Sequence, residues 1–172
     1  SITGTDDEIL IRGALDENNA SAIEFIEFID GVVWTPEDLR QRILETAASD
    51  GDDNVRGFFT DDVLNAGRGD DIVYGEGGSD TYIFARGDGR DVIDDTGDSS
   101  SADVLRLQGY SADEVIVTRP DPDRNDIRLL FEDTTDEILI LGQFSSSAGS
   151  GVERIEFGDG TVWDRQFITN LI

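Results

Sequence analysis

Residues 48–83 repeat with a period of nine and no gap: ASDGDDNVR (48–56), GFFTDDVLN (57–65), AGRGDDIVY (66–74) and GEGGSDTYI (75–83). Asp recurs at 53, 62, 71 and 80, and two residues after each comes an apolar side chain, Val55, Leu64, Val73 or Tyr82. Gly stands two residues before three of these acids, at 51, 69 and 78. A further copy, RGDGRDVID (86–94), follows a two-residue insertion, with Gly89, Asp91 and Ile93 in the same roles. So short a unit has few ways to fold. Three residues around the apolar position make a strand that turns only its middle side chain inward; the other six must reverse the chain, with Gly supplying the positive φ values. Two units complete one coil of a roll, and units n and n+2 stack at the strand spacing of ~4.8 Å. Asp53, Asp71 and Asp91 then fall in one file, and Asp62 with Asp80 in the other.

Stacked carboxylates repel. At ~5 Å and an effective dielectric of ~20, each pair costs roughly 3 kcal/mol. Between Asp50 and Asp98 stand 14 acidic residues and 4 basic ones, so the roll needs a cation between the acids. Calcium suits it, as a hard ion that takes 6–8 oxygens in flexible geometry, main-chain carbonyls included; Mg²⁺ demands a tighter octahedron. The rest of the composition points the same way. The 172 residues carry a net charge of −26, every basic residue is Arg, and there is no Lys, His, Cys or Met. Disulfides, Cys/His zinc sites and Cys, His or Lys nucleophiles are thereby excluded. So acidic a surface repels phosphate and anionic lipid, which argues against nucleic acid and membrane insertion. No apolar run approaches the 18 residues of a spanning helix, and no signal peptide stands at the start. Ser1, in a chain without Met, suggests an excised or processed piece.

The units AGRGDDIVY and GEGGSDTYI, with the exit DTYIFARGDGRDVIDD, resemble the RTX (haemolysin-type) repeat, whose consensus G-G-x-G-x-D-x-U-x binds Ca²⁺. The segments IEFIDGVVW (26–34) and IEFGDGTVW (155–163) resemble the domain that accompanies such repeats in large secreted bacterial proteins. The resemblance implies Ca²⁺ between loops n and n+2, held by main-chain carbonyls and the repeat Asp of each loop. One site would use Ser49, Gly51 and Asp53 with Ala66, Arg68 and Asp71. A second would use Phe58, Thr60 and Asp62 with Gly75, Gly77 and Asp80. A third would use Gly67, Gly69 and Asp71 with Arg86, Asp88 and Asp91. Two to four ions are expected. Thr60 replaces a Gly in the second site beside Phe58-Phe59, and the insertion before Arg86 blurs the third.

A second, longer repeat spans the chain. Residues 7–34 and 136–163 align without a gap, with 15 identities in 28 positions. Residues 7–12 alternate as a strand, and 22–34 read as a hairpin closed by Asp30-Gly31. Thr35-Pro36-Glu37-Asp38 starts a helix that runs to about residue 47, with Leu39, Ile43 and Leu44 inward. Strands follow near 103–107, 114–118, 127–131 and 137–141, then a hairpin over 152–163 closed by Asp159-Gly160, and a short helix capped by Asp164. Residues 121–132 match an EF-hand loop in part. Asp126 stands where that loop needs Gly and both flanks read as strands, so a hairpin turn is expected instead.

The expected architecture is all-β: a short parallel β-roll capped by a β-rich flanking domain with one or two short helices. Residues 1–47 end a preceding repeat unit, 48–94 form the calcium-binding roll and 95–172 the C-terminal cap. The expected function is a calcium-binding, non-enzymatic and monomeric module of a secreted or cell-surface bacterial protein, one that folds on Ca²⁺ after type I secretion. The parent is a toxin, a hydrolase or an adhesin. The alternative is an extracellular carbohydrate- or partner-binding module, reaching a polysaccharide or cell surface through the parent, in which Ca²⁺ is only structural.

Overall fold

A computed structural model describes residues 24–95, 97, 102–145 and 149–172. The strand expected at 7–12 lies outside the described residues. The chain divides into two compact units, Ser1–Arg42 and Ile43–Ile172.

In the first unit, strands β1 (Ile26–Glu27) and β2 (Val33–Trp34) pair antiparallel, Ile26 opposite Trp34. The turn between them uses Gly31 at φ +86°, and the Asp30 carboxylate accepts the Val32 amide at 3.1 Å. Phe28 meets Trp34 edge to face, centroids 4.6 Å apart. Helix α1 (Pro36–Ala47) follows at once. Thr35 caps it: its hydroxyl accepts the Asp38 amide at 3.2 Å while the Asp38 carboxylate accepts the Thr35 amide at 2.8 Å. That reciprocal pair satisfies helix-end donors which otherwise have no partner. It also holds the Asp38 carboxyl below its usual pKa, chiefly through the Thr35 amide.

The second unit is a roll of two sheets. Its strands are β3 (Asn54–Arg56), β4 (Val63–Asn65), β5 (Ile72–Tyr74), β6 (Thr81–Ala85), β7 (Arg90–Asp94) and β8 (Val104–Gln108). After them come β9 (Val115–Thr118), β10 (Ile127–Phe131), β11 (Glu137–Ile140), β12 (Arg154–Phe157), β13 (Val162–Asp164) and helix α2 (Arg165–Asn170). One sheet runs β3-β5-β7-β11-β10-β9 and the other β13-β12-β8-β6-β4. Odd and even repeats therefore go to opposite sheets, as a two-unit coil requires.

Register places the apolar residues in two ladders. Val55, Val73, Ile93 and Ile140 lie side by side in one sheet, and Leu64, Tyr82, Leu105 and Ile155 in the other. All eight are at most 5% exposed, and each such burial is worth about 1.5–3 kcal/mol. In the three-residue strands β3, β4 and β5 only the middle side chain is buried. From β6 onward strands lengthen and the core widens. Phe84, Tyr110 and Phe131 pack ring on ring, with Tyr110 and Phe131 centroids 4.2 Å apart.

The parallel stacking does not stop at residue 94. β8, β11 and β12 add further parallel rungs before antiparallel β10, β9 and β13 close the sheets. The break at 94 is one of sequence pattern, and the sheets run across it. Ile43, expected inward, is 48% exposed, whereas Leu44 is buried. Adjacent helical positions point about 100° apart, so only one of the pair meets a narrow core face. Residues 119–126 join β9 to antiparallel β10 through a turn in which the Arg124 amide donates to the Asp121 carbonyl at 3.1 Å. Asp164 caps α2 by accepting the Phe167 amide at 2.7 Å.

Candidate metal centre

The repeat aspartates stack along the roll, each tied to the next by one hydrogen bond. The Asp53 amide donates to Asp71 Oδ1 at 2.8 Å, and the Asp71 amide to Asp91 Oδ1 at 3.1 Å. In the other file the Asp62 amide donates to Asp80 Oδ1 at 2.9 Å. The two-residue insertion before Arg86 does not interrupt the first file. Asp71, Asp80 and Asp91 thus each spend one oxygen on the preceding turn. The second oxygens of Asp71 and Asp80 are buried without any hydrogen-bond partner. A buried carboxylate oxygen without a donor is costly and calls for a counter-charge.

The loops around these acids face one another in the expected pairs. Ser49 bridges Gly67 in parallel register, and Gly69 bridges Gly89. A Cβ on Gly69 would lie 2.7 Å from both the Gly51 carbonyl oxygen and Asp71 Oδ1. With Gly69 also at φ +145°, only glycine leaves this space to the oxygens. In the second pair of loops, the Gly77 amide donates to the Phe58 carbonyl at 3.2 Å, and the Asp62 carboxylate accepts the Phe58 amide at 2.6 Å. The Phe58-Phe59-Thr60 turn therefore closes as the others do. Phe58 packs on the core, Phe59 is 81% exposed, and the Thr60 hydroxyl is buried without a partner.

Gly75 sits against Asp80 Oδ2, which a Cβ there would approach to 2.5 Å. In the third pair, the Gly69 amide donates to the Asp88 carbonyl at 2.8 Å, while the Asp88 carboxylate accepts the Ala85 amide at 2.7 Å. The Asp88 carbonyl keeps a second lone pair for an ion. The Arg86 side chain turns away, donating to the Gly109 carbonyl and to Glu114. Ala66 is buried in the core, and Arg68 is exposed on its loop.

Electrostatics match the geometry. Burial, then the neighbouring carboxylates, pushes Asp80 up to about 8 and Asp91 up to about 7. Burial likewise raises Asp71, with Asp53, Asp52 and Asp88 adding to the repulsion. The nearby arginines are engaged outside the files, Arg56 with Glu76 and Arg90 with Asp70. Oxygen-only donors, spare carbonyls and excess negative charge together suit a hard divalent ion.

The families agree with this geometry. Residues 48–82 and 56–93 match the RTX calcium-binding nonapeptide repeat (4 copies). Residues 1–38 and 126–166 match the haemolysin-type calcium binding protein related domain. The chain thus carries RTX haemolysin-type calcium-binding repeats between two matches to their related domain. The two flanking matches embrace the two copies of the long internal repeat. The RTX array of this chain is a calcium-binding module, of a kind typical of secreted bacterial proteins. No curated protein matches the chain.

The RTX file runs further than the nonapeptide period. The Asp80 amide donates to Asp103 Oδ1 at 2.8 Å, and the Asp103 amide to Glu153 at 2.7 Å. Asp103 and Glu153 each stand two residues before an inward apolar side chain, Leu105 and Ile155. That acid-x-apolar signature is the sequence signal that marks them. Asp95 carries no such signal.

Proposed function

We propose that this RTX array binds two to four Ca²⁺ ions between its stacked loops and folds when it does so. The observation that carries the reading is the pair of buried, partnerless oxygens Asp71 Oδ2 and Asp80 Oδ2 in files of acids with raised pKa. Without ions the files repel and the roll opens. With ions the binding free energy becomes folding free energy. Such a chain leaves a bacterial cell unfolded through a type I secretion channel at low cytosolic Ca²⁺ and folds outside, at millimolar Ca²⁺. No helix among the described residues is long and apolar enough to cross a membrane. The module acts as a non-catalytic folding switch for its parent, supported by Asp71, Asp80, Asp91 and Asp95, acids whose pKa burial raises and which are at most 7% exposed.

Far-UV circular dichroism in chelator, then with rising Ca²⁺ and with Mg²⁺ as control, tests the reading. The expected result is a cooperative coil-to-β transition specific for Ca²⁺. A folded spectrum that ignores Ca²⁺ would overturn the switch and favour an adhesin-like binding module.

A further inference from the structure

Asp80, Asp95 and Asp103 bring one carboxylate oxygen each to within 4.8 Å of one another. They are 1%, 2% and 0% exposed. Asp80 and Asp103 each spend Oδ1 on the file, accepting the Asp62 and Asp80 amides. Their Oδ2 atoms are buried and have no partner. Asp95 is held in place from both sides: the Tyr82 hydroxyl donates to its Oδ2 at 2.7 Å and the Gly97 amide to its Oδ1 at 2.9 Å. Two free, fully buried oxygens therefore converge with a third carboxylate that its donors orient. Oxygens no more than 4.8 Å apart can share one ion, since this is about twice a Ca²⁺–O bond.

The geometry points to a further cation site, formed by Asp80, Asp95 and Asp103 at the junction of the roll and its cap, which takes a hard ion of the Ca²⁺ class. It differs from a loop-pair site of the array in three respects. It has three carboxylates where the array offers two per ion. It includes Asp95, which follows β7 and lies outside both family matches, as does Asp103. And it ties Asp80, of the last unbroken repeat, to Asp103, which leads directly into β8. An ion there ties the last unbroken repeat to β8, the next rung of the same sheet, and the extra charge makes it the tightest site of the chain, since affinity rises with ligand charge. Because Asp80 also serves the array, the site rests in part on the reading above.

Ion counting by native mass spectrometry and Tb³⁺ luminescence excited through tyrosine test the site on the whole chain. Tyr82, bonded to Asp95, is the expected sensitiser. Asp95→Asn should remove one bound Ca²⁺, the first to bind, and most of the tyrosine-sensitised emission, while the Ca²⁺-driven change in circular dichroism persists. An unchanged ion count and emission in Asp95→Asn would overturn the junction site and leave the array untouched. Conversely, a single ion with Tyr82-sensitised emission and no cooperative folding would support the junction site and sink the array reading. Should Asp95→Asn fail to fold, Tyr82→Phe decides: it keeps all three carboxylates but removes the sensitiser and a supporting donor worth about 10–100-fold in affinity. Emission that survives Tyr82→Phe at full strength would place the ion elsewhere.

Discussion

Asp71→Asn should change sign with calcium. Asp71 lies between Asp53 and Asp91 in the file, 1% exposed, accepting the Asp53 amide through Oδ1. Asparagine keeps that acceptor and the shape, and places an amide donor where Oδ2 now has no partner. In chelator the substitution removes a charge about 5 Å from two like charges, each worth roughly 3 kcal/mol at an effective dielectric of ~20. Solvent screening reduces this, so a gain of about 1–3 kcal/mol is expected. In Ca²⁺ the same change removes a charged ligand that two proposed sites share. Weakening an ion from 100 times its dissociation constant to near none costs about 2.7 kcal/mol per site, so the variant should be less stable than the parent by several kcal/mol. Circular dichroism in chelator, with sulfate or an osmolyte to favour compaction, and urea unfolding in millimolar Ca²⁺ measure both arms. Destabilisation of similar size in both conditions would refute the reasoning, because it would make Asp71 an ordinary hydrogen-bonding residue.

Other substitutions and conditions probe different parts of the same argument. Asp80, Asp91 and Asp95 have carboxyls at about 8, 7 and 7, each raised first by burial from 3.8. The ion-free fold thus binds more protons than the unfolded chain between about pH 4 and 8; its stability is fully present below 3.8 and is lost as pH rises through 7–8. Circular dichroism in chelator should accordingly show more β structure at pH 5 than at pH 8, and Ca²⁺ affinity by calorimetry should rise over the same window as protons are released. Gly75→Ala forces a Cβ against the Tyr82 hydroxyl and Asp80 Oδ2; urea melts in Ca²⁺ should show a loss of about 1–3 kcal/mol. Leu64→Ala empties a fully buried rung beside Tyr82 and should cost about 2–5 kcal/mol in the same assay. Phe59→Ser, at a side chain 81% exposed on the second loop, should change stability by less than about 0.5 kcal/mol and leave the Ca²⁺ titration unchanged.

The period of nine determined most of this protein. Its Gly–Asp–apolar order dictates three-residue strands, two sheets and two files of acids, because a chain that reverses every nine residues has no other regular way to bury one side chain per unit. The caps at Thr35 and Asp164 and the Asp30-Gly31 and Asp159-Gly160 turns were legible for a similar reason, since their hydrogen bonds are made within two or three residues. Tertiary structure decided what lies beyond the period. Asp103 joins Asp80 across 23 residues, and Glu153 joins Asp103 across 50. Neither interval is a multiple of nine, so no spacing rule connects them; only the parallel pairing of β6, β8 and β12 does. Asp95 enters the cluster through Tyr82, itself read from the sequence as a core residue alone. Short-range order follows from backbone conformation and is written locally, whereas the convergence of three buried carboxylates depends on which strands lie side by side, and that is settled by packing of the whole roll.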